Sequence, residues 1–161
     1  MVLDPVISSS SGKRLLDEAG LRLLAKRLIP QTALLTPNRD EAEQLTGLRL
    51  ETLDDMRKAC DFFLAAGAGA VLLKGGHFEP NEAGELVELL RTLDGEEFIF
   101  RHPARLQATQ TKATHTSEAQ VQELTRFRGT GCQLASFIAG FLAEGRTLKD
   151  AVTLAIEYLE R

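Results

Sequence analysis

The tetrapeptide Gly129-Thr130-Gly131-Cys132, followed directly by the apolar run 133–142, reads as a glycine-rich turn that opens a helix with a thiol in its first turn. Glycines let the backbone approach a ligand closely, and the unpaired N–H groups of a helix start, with its dipole, attract an anion such as phosphate. The same field is expected to lower the pKa of Cys132, because thiolates are favoured at helix N-termini. An ordinary helix start with a small Cys packed inside accounts for the tetrapeptide equally well, so other residues must decide.

Three more sets of polar residues follow short apolar runs: Asp4 after the first, Asn38 and Glu41 after the second, and Lys74-Gly75-Gly76 after the third. In open α/β sheets ligands bind beyond the carboxyl ends of the strands. Parallel neighbours would thus gather carboxylate and amide oxygens suited to Mg²⁺, an ammonium for phosphate, and a helix start for a transferred group. These are parts for phosphoryl transfer. Plainer uses exist: Asp4 before Pro5 can shape a turn, Asn38 can cap a helix, and Glu41 can match its dipole. Lys74 beside two glycines is less easily given a structural use. The glycine spacing matches no Walker A loop, and His77 has no second His or Cys at metal spacing, so it reads as a loop residue. His102 and His115 carry no usable signal, and Cys60, in the helical pattern Met56, Cys60, Phe63, Leu64, reads as core.

Elements that could hold these residues alternate along the chain. Residues 2–7 read as a strand broken by Asp4-Pro5, 15–30 as a helix, and 33–36 as a strand stopped by Pro37. Short helices follow at 40–45, capped near Asn38, and at 53–66, capped by Thr52. Residues 70–73 form a buried-type strand, 86–90 and 98–100 a hairpin turning at Asp94-Gly95, and 132–144 and 148–160 two closing helices joined at Gly145. The order predicts an α/β layered structure with a mainly parallel sheet flanked by helices. Residues 103–126, rich in Thr, Gln and Ala, have no hydrophobic period before Val121 and read as a mobile insertion, with Ser117 and Gln120 able to cap a brief helix ending near Arg126.

With 161 residues and 43% hydrophobic content, the chain suits a single domain with a real core. A net charge of −4 and scattered aromatics argue against nucleic acid and leave small molecules or proteins as partners. No apolar run reaches membrane-span length and no signal core follows Met1, which makes the cytoplasm the expected compartment. Two cysteines are too few for a disulfide framework.

Four motifs, in order, carry a family resemblance: Val2-Leu3-Asp4-Pro5-Val6 with Ser11-Gly12 downstream, Leu35-Thr36-Pro37-Asn38-Arg39-Asp40-Glu41-Ala42, Val71-Leu72-Leu73-Lys74-Gly75-Gly76-His77, and Gly129-Thr130-Gly131-Cys132. Over nearly all its length the chain resembles the C-terminal part of the hydroxymethylpyrimidine and phosphomethylpyrimidine kinases of thiamine biosynthesis, in the ribokinase-like superfamily. The resemblance implies transfer of the ATP γ-phosphate to an aminopyrimidine alcohol or its phosphate. It matches Cys132 to the base, Gly129, Thr130 and Gly131 to a backbone anion hole, and Lys74, in the Lys74-Gly75-Gly76 motif, to a nucleotide-phosphate contact. Asp4, Asn38 and Glu41 match the positions around Mg²⁺. Cys132 stands where sugar kinases and many pyridoxal kinases of this fold have Asp, although a pyridoxal-type acceptor stays open.

Two departures stand out. Phe127-Arg128 replaces the usual Thr-His, and 103–126 is longer than the family's connection. Family members also extend further at the N-terminus, where the first strands and most pyrimidine contacts lie. The expectation is therefore an encoded ATP site with incomplete substrate binding, little or no turnover by the isolated chain, and an exposed sheet edge that invites self-association. A catalytically silent nucleotide-binding or regulatory module is the alternative.

Overall fold

The computed structural model describes residues 1–9, 12–75, 85–103 and 130–160. Ser11, Gly76, His77, Gly129 and the segment 104–126, with its expected capped helix, lie outside the described residues.

Five strands form one sheet in the order β1-β2-β3-β4-β5. β1 (Val2–Leu3), β2 (Leu34–Leu35) and β3 (Ala70–Leu73) run parallel, with Val2 opposite Leu34 and Leu35 opposite Val71. β4 (Glu85–Thr92) turns back antiparallel to β3, and β5 (Glu97–Pro103) pairs antiparallel with β4. The β4–β5 turn uses Gly95 at φ 93°, where Asp94-Gly95 was expected to bend the chain.

β1 is shorter than residues 2–7 suggest. Pro5 has no N–H to give a neighbouring strand, and Val6 N instead donates to Asp4 O at 2.9 Å, bending the chain away at Asp4. Ile7 then turns into the core, fully buried, so the expected long apolar edge reduces to two residues.

The first helix also starts later than its periodicity suggests. Leu15 N donates to Ile7 O at 2.8 Å, which holds this residue against the preceding segment. Asp17 then caps α1 (Glu18–Leu23), which continues as a wider π turn over Leu24–Leu28 and a 3₁₀ turn over Ile29–Gln31. α2 (Arg39–Thr46) begins in a capping box and ends at Gly47, whose φ of 72° suits glycine. α3 (Leu53–Ala65) has its own box, Thr52 with Asp55. α4 (Thr130–Ala143) and α5 (Leu148–Glu160) close the chain.

Strand alternation divides the core into two clusters. Odd-numbered strand residues, among them Leu35, Val71, Leu73 and Leu89, pack with Met56, Ala59 and Phe63 of α3. Even-numbered ones, Leu34, Ala70, Leu72 and Leu90, pack with Leu134 and Ile138 of α4 and with Ala151, Val152 and Ala155 of α5. The result is a mixed sheet between two helical layers, with β1–β3 all delivering their carboxyl ends to one edge.

Candidate functional site

The even-numbered face turns polar at that edge. Asp4 follows Leu3, Thr36 follows Leu35 and Lys74 follows Leu73, so period-two alternation directs all three toward the side covered by α4 and α5. Lys74 Nζ lies 2.6 Å from Asp4 Oδ1, and both side chains are largely buried, 8% and 13% exposed. Thr36, fully buried, donates through Oγ1 to the same Asp4 oxygen at 3.2 Å. A buried ion pair recovers its desolvation penalty only with good geometry and added hydrogen bonds, and here Thr36 supplies one. Lys74 is held from its backbone too, since its N–H donates to Pro37 O at 2.8 Å.

Asn38 and Glu41 lie on the start of α2, next to the same strand ends. Asn38 Oδ1 accepts from Glu41 N at 2.9 Å and Glu41 Oε2 accepts from Asn38 N at 2.8 Å. The cap is thus an established role for both, and Glu41 is buried within it. Asn38 also pairs with Lys74 across a parallel bridge, which ties the capping turn to the end of β3.

Thr130 and Gly131 open α4, and Cys132 stands as its third residue, exposed, so the helix begins two residues before the thiol. The sequence-based expectation of a lowered Cys132 pKa is corrected here: the pKa is raised. A hydrogen bond from the thiol to the Asp4 carboxylate is the main cause, with partial desolvation and the Asp4 charge adding to it. Lys74 opposes the shift and Glu41 reinforces it. A full carboxylate charge at hydrogen-bond range outweighs the roughly half charge of a helix start. The same balance shows that Asp4, Glu41, Lys74 and Cys132 share one electrostatic neighbourhood.

Gly75 has a structural use that its sequence context did not suggest. A Cβ there would sit 1.8 Å from Val87 O, so the residue is glycine because β4 passes against it. Its N–H donates to Glu88 Oε2 at 3.3 Å. Thr36, Glu88 and His102 escaped the sequence reading, yet a lone charge inside the apolar run 86–90 was a signal that Glu88 has a specific partner.

The carboxylates of Asp4 and Glu41 are the donor type that Mg²⁺ takes, one or two carboxylates with water and phosphate completing its shell. Among the described residues no three His, Cys, Asp or Glu side chains form a ready-made metal cage.

The sequence profile of the phosphomethylpyrimidine kinase family matches residues 1–161. The chain belongs to this family. A hydroxymethylpyrimidine/phosphomethylpyrimidine kinase from Streptomyces coelicolor is 39% identical over 158 residues, covering 98% of this chain and 51% of its own length. The crystal structure of phosphomethylpyrimidine kinase from Clostridium difficile superposes with a TM-score of 0.70 at 31% identity, over 99% of this chain and 55% of that one. A Staphylococcus aureus pyridoxal kinase in complex with AMP-PCP and pyridoxal gives a TM-score of 0.74 at 25% identity, over 99% of this chain and 49% of that one. The chain therefore spans about half the length of these phosphomethylpyrimidine kinase and pyridoxal kinase relatives. The fold is that of ribokinase-like kinases, and no described helix is long and apolar enough to cross a membrane.

Proposed function

We propose that the chain carries the nucleotide half of a kinase that moves the ATP γ-phosphoryl group to an aminopyrimidine alcohol or its monophosphate, in the cytoplasm. The observation that carries the reading is the buried Lys74–Asp4 pair at 2.6 Å, whose carboxylate also raises the pKa of the Cys132 thiol. Lys74 is the contact to nucleotide phosphate, and the backbone of Gly129, Thr130 and Gly131 is the anion hole. Preorganised donors of that kind act where charge develops in the transition state. Asp4, Asn38 and Glu41 are the positions around Mg²⁺, which when bound would neutralise phosphate charge. An ATP analogue bound to the S. aureus relative supports the choice of nucleotide.

In the transfer, an acceptor oxygen bonds to the γ-phosphorus while the bond to the ADP oxygen breaks, and the acceptor's proton goes to a base. Cys132 has the base role. Its raised pKa makes the thiolate a strong proton acceptor but a scarce one at neutral pH, and Lys74 is the charge that offsets this. A pyridoxal-type acceptor is the second reading, supported more weakly by the S. aureus pyridoxal kinase at 25% identity than the pyrimidine reading is by the S. coelicolor relative at 39%.

Titration calorimetry with Mg·ADP tests the nucleotide reading, and absence of binding by the folded chain overturns it. Turnover is followed as ADP release with ATP, Mg²⁺ and either hydroxymethylpyrimidine phosphate or pyridoxal. Little or no turnover is expected, because the chain spans about half the length of the kinase relatives it matches. Robust turnover would overturn the expectation of incomplete substrate binding and name the acceptor.

A further inference from the structure

The polar row continues past Lys74 onto strands that the phosphate chemistry does not use. Glu88 on β4 is only 5% exposed, on the even-numbered face where Leu72, Leu90 and Phe100 are apolar. A leucine there would extend that face, whereas a buried carboxylate is costly unless it is hydrogen-bonded. Both of its oxygens are engaged. Oε2 accepts from Gly75 N at 3.3 Å, and Oε1 lies 3.2 Å from His102 Nε2 on β5.

The place of the first bond matters. The β3–β4 ladder pairs Ala70 with Thr92 through Leu73 with Leu89 and then ends. The next amides are those of Lys74 and Gly75. Lys74 N donates sideways to Pro37 O, and Gly75 N is taken by the Glu88 side chain. The two amides that flank the Lys74 Cα are thereby fixed from opposite sides, one by the end of β2 and one by β4. Gly75 lies so close to the Val87 backbone that a Cβ would clash there, so β4 bounds the strand end on that side.

We propose that Glu88, itself oriented by His102, is a positioning residue that holds the end of β3 so that the Lys74 ammonium stays at the phosphate end of the site. The proposal rests on the reading of Lys74 as the phosphate contact, but its physical core, that Glu88 immobilises Lys74, is measurable without nucleotide. Acetic anhydride labelling of native protein, read at Lys74 by mass spectrometry, reports how often this buried amine leaves Asp4. Loss of a hydrogen bond to a charged group should raise the labelling rate of Lys74 about ten-fold in E88A. E88Q, which keeps an oxygen for Gly75 N, should return to within about two-fold of the parent protein. V152A, a cavity variant in α5, serves as the control for general loosening and should leave Lys74 labelling unchanged. E88D, which keeps the charge but draws it back from Gly75, should also raise labelling and carries the test if E88A does not fold. Unchanged labelling in the Glu88 variants that fold, or an equal rise in V152A, overturns the proposal. Mg·ADP affinity is measured alongside: a parallel loss in E88A supports the proposal, and unchanged affinity overturns it. If the parent protein binds no Mg·ADP, the kinase reading fails and the labelling result alone decides the role of Glu88.

Discussion

The Asp4 carboxylate raises the pKa of the exposed Cys132 thiol, and this sets its reactivity. A pKa above the ordinary thiol value leaves less thiolate at a given pH, so at pH 8 an aromatic disulfide reagent should label Cys132 more slowly than a free cysteine. Asp4→Asn removes both the acceptor and the charge. The pKa should fall and the labelling rate at pH 8 should rise, in protein whose circular dichroism is unchanged; an unaltered rate-versus-pH curve would exclude Asp4 as the cause. Burial pushes Cys60 up to about 12, so it should stay unlabelled until the protein unfolds. If the kinase reading holds in a form that turns over, Cys132→Ser should lower kcat by about 10²-fold or more while leaving the Mg·ADP dissociation constant within a factor of about two. At this scale the sequence was legible in part. It named Asp4 and Lys74, which pair, and Cys132, whose pKa Asp4 shifts, but misjudged the sign of that shift because helix-start reasoning cannot see a carboxylate arriving from 128 residues earlier.

Elements such as α2 show how one pair of side chains can hold two assignments. Asn38 and Glu41 form a reciprocal cap, and both are assigned to the surroundings of a cation. Asn38→Ala should destabilise the protein by about 1 kcal/mol, measured by urea denaturation, whatever it does to nucleotide binding. Glu41→Gln keeps an oxygen for the Asn38 amide and should change stability little while weakening the Mg²⁺ dependence of ADP binding. Equal loss of stability in both variants would argue that the cap needs the charge itself. Helix and hairpin positions were readable from period and caps, as Thr52 with Asp55 and Asp94-Gly95 show. The break at Asp4-Pro5 was readable, though not that β1 ends there, and the start of α1 was not, because the Leu15–Ile7 backbone bond that decides it is a contact between segments. Gly75 was read only as part of the Lys74-Gly75-Gly76 motif, and what it approaches among the described residues is Val87.

For the whole molecule, the central sheet couples two core clusters that have no described residue in common. Leu73 and Leu72, adjacent on β3 and both fully buried, enter opposite clusters. Each Leu→Ala change should destabilise by about 2–5 kcal/mol, and each variant should still unfold in one transition seen identically by circular dichroism and by Tyr158 fluorescence. Two separated transitions would show that the helical layers fold independently. The layered architecture was legible in the sequence because alternating strand and helix patterns admit few arrangements, whereas the pairing of Glu88 with Gly75 depends on the register of β4 against β3. The shared parity of Asp4, Thr36, Lys74 and Glu88 has one more consequence. Removing a single codon from 70–73 would shift Lys74 by one place and send its ammonium among Leu35, Met56 and Phe63, so a deletion scan of this strand should abolish the site at every step where conservative replacements are tolerated. Inheritance here is constrained more by chain length than by spelling.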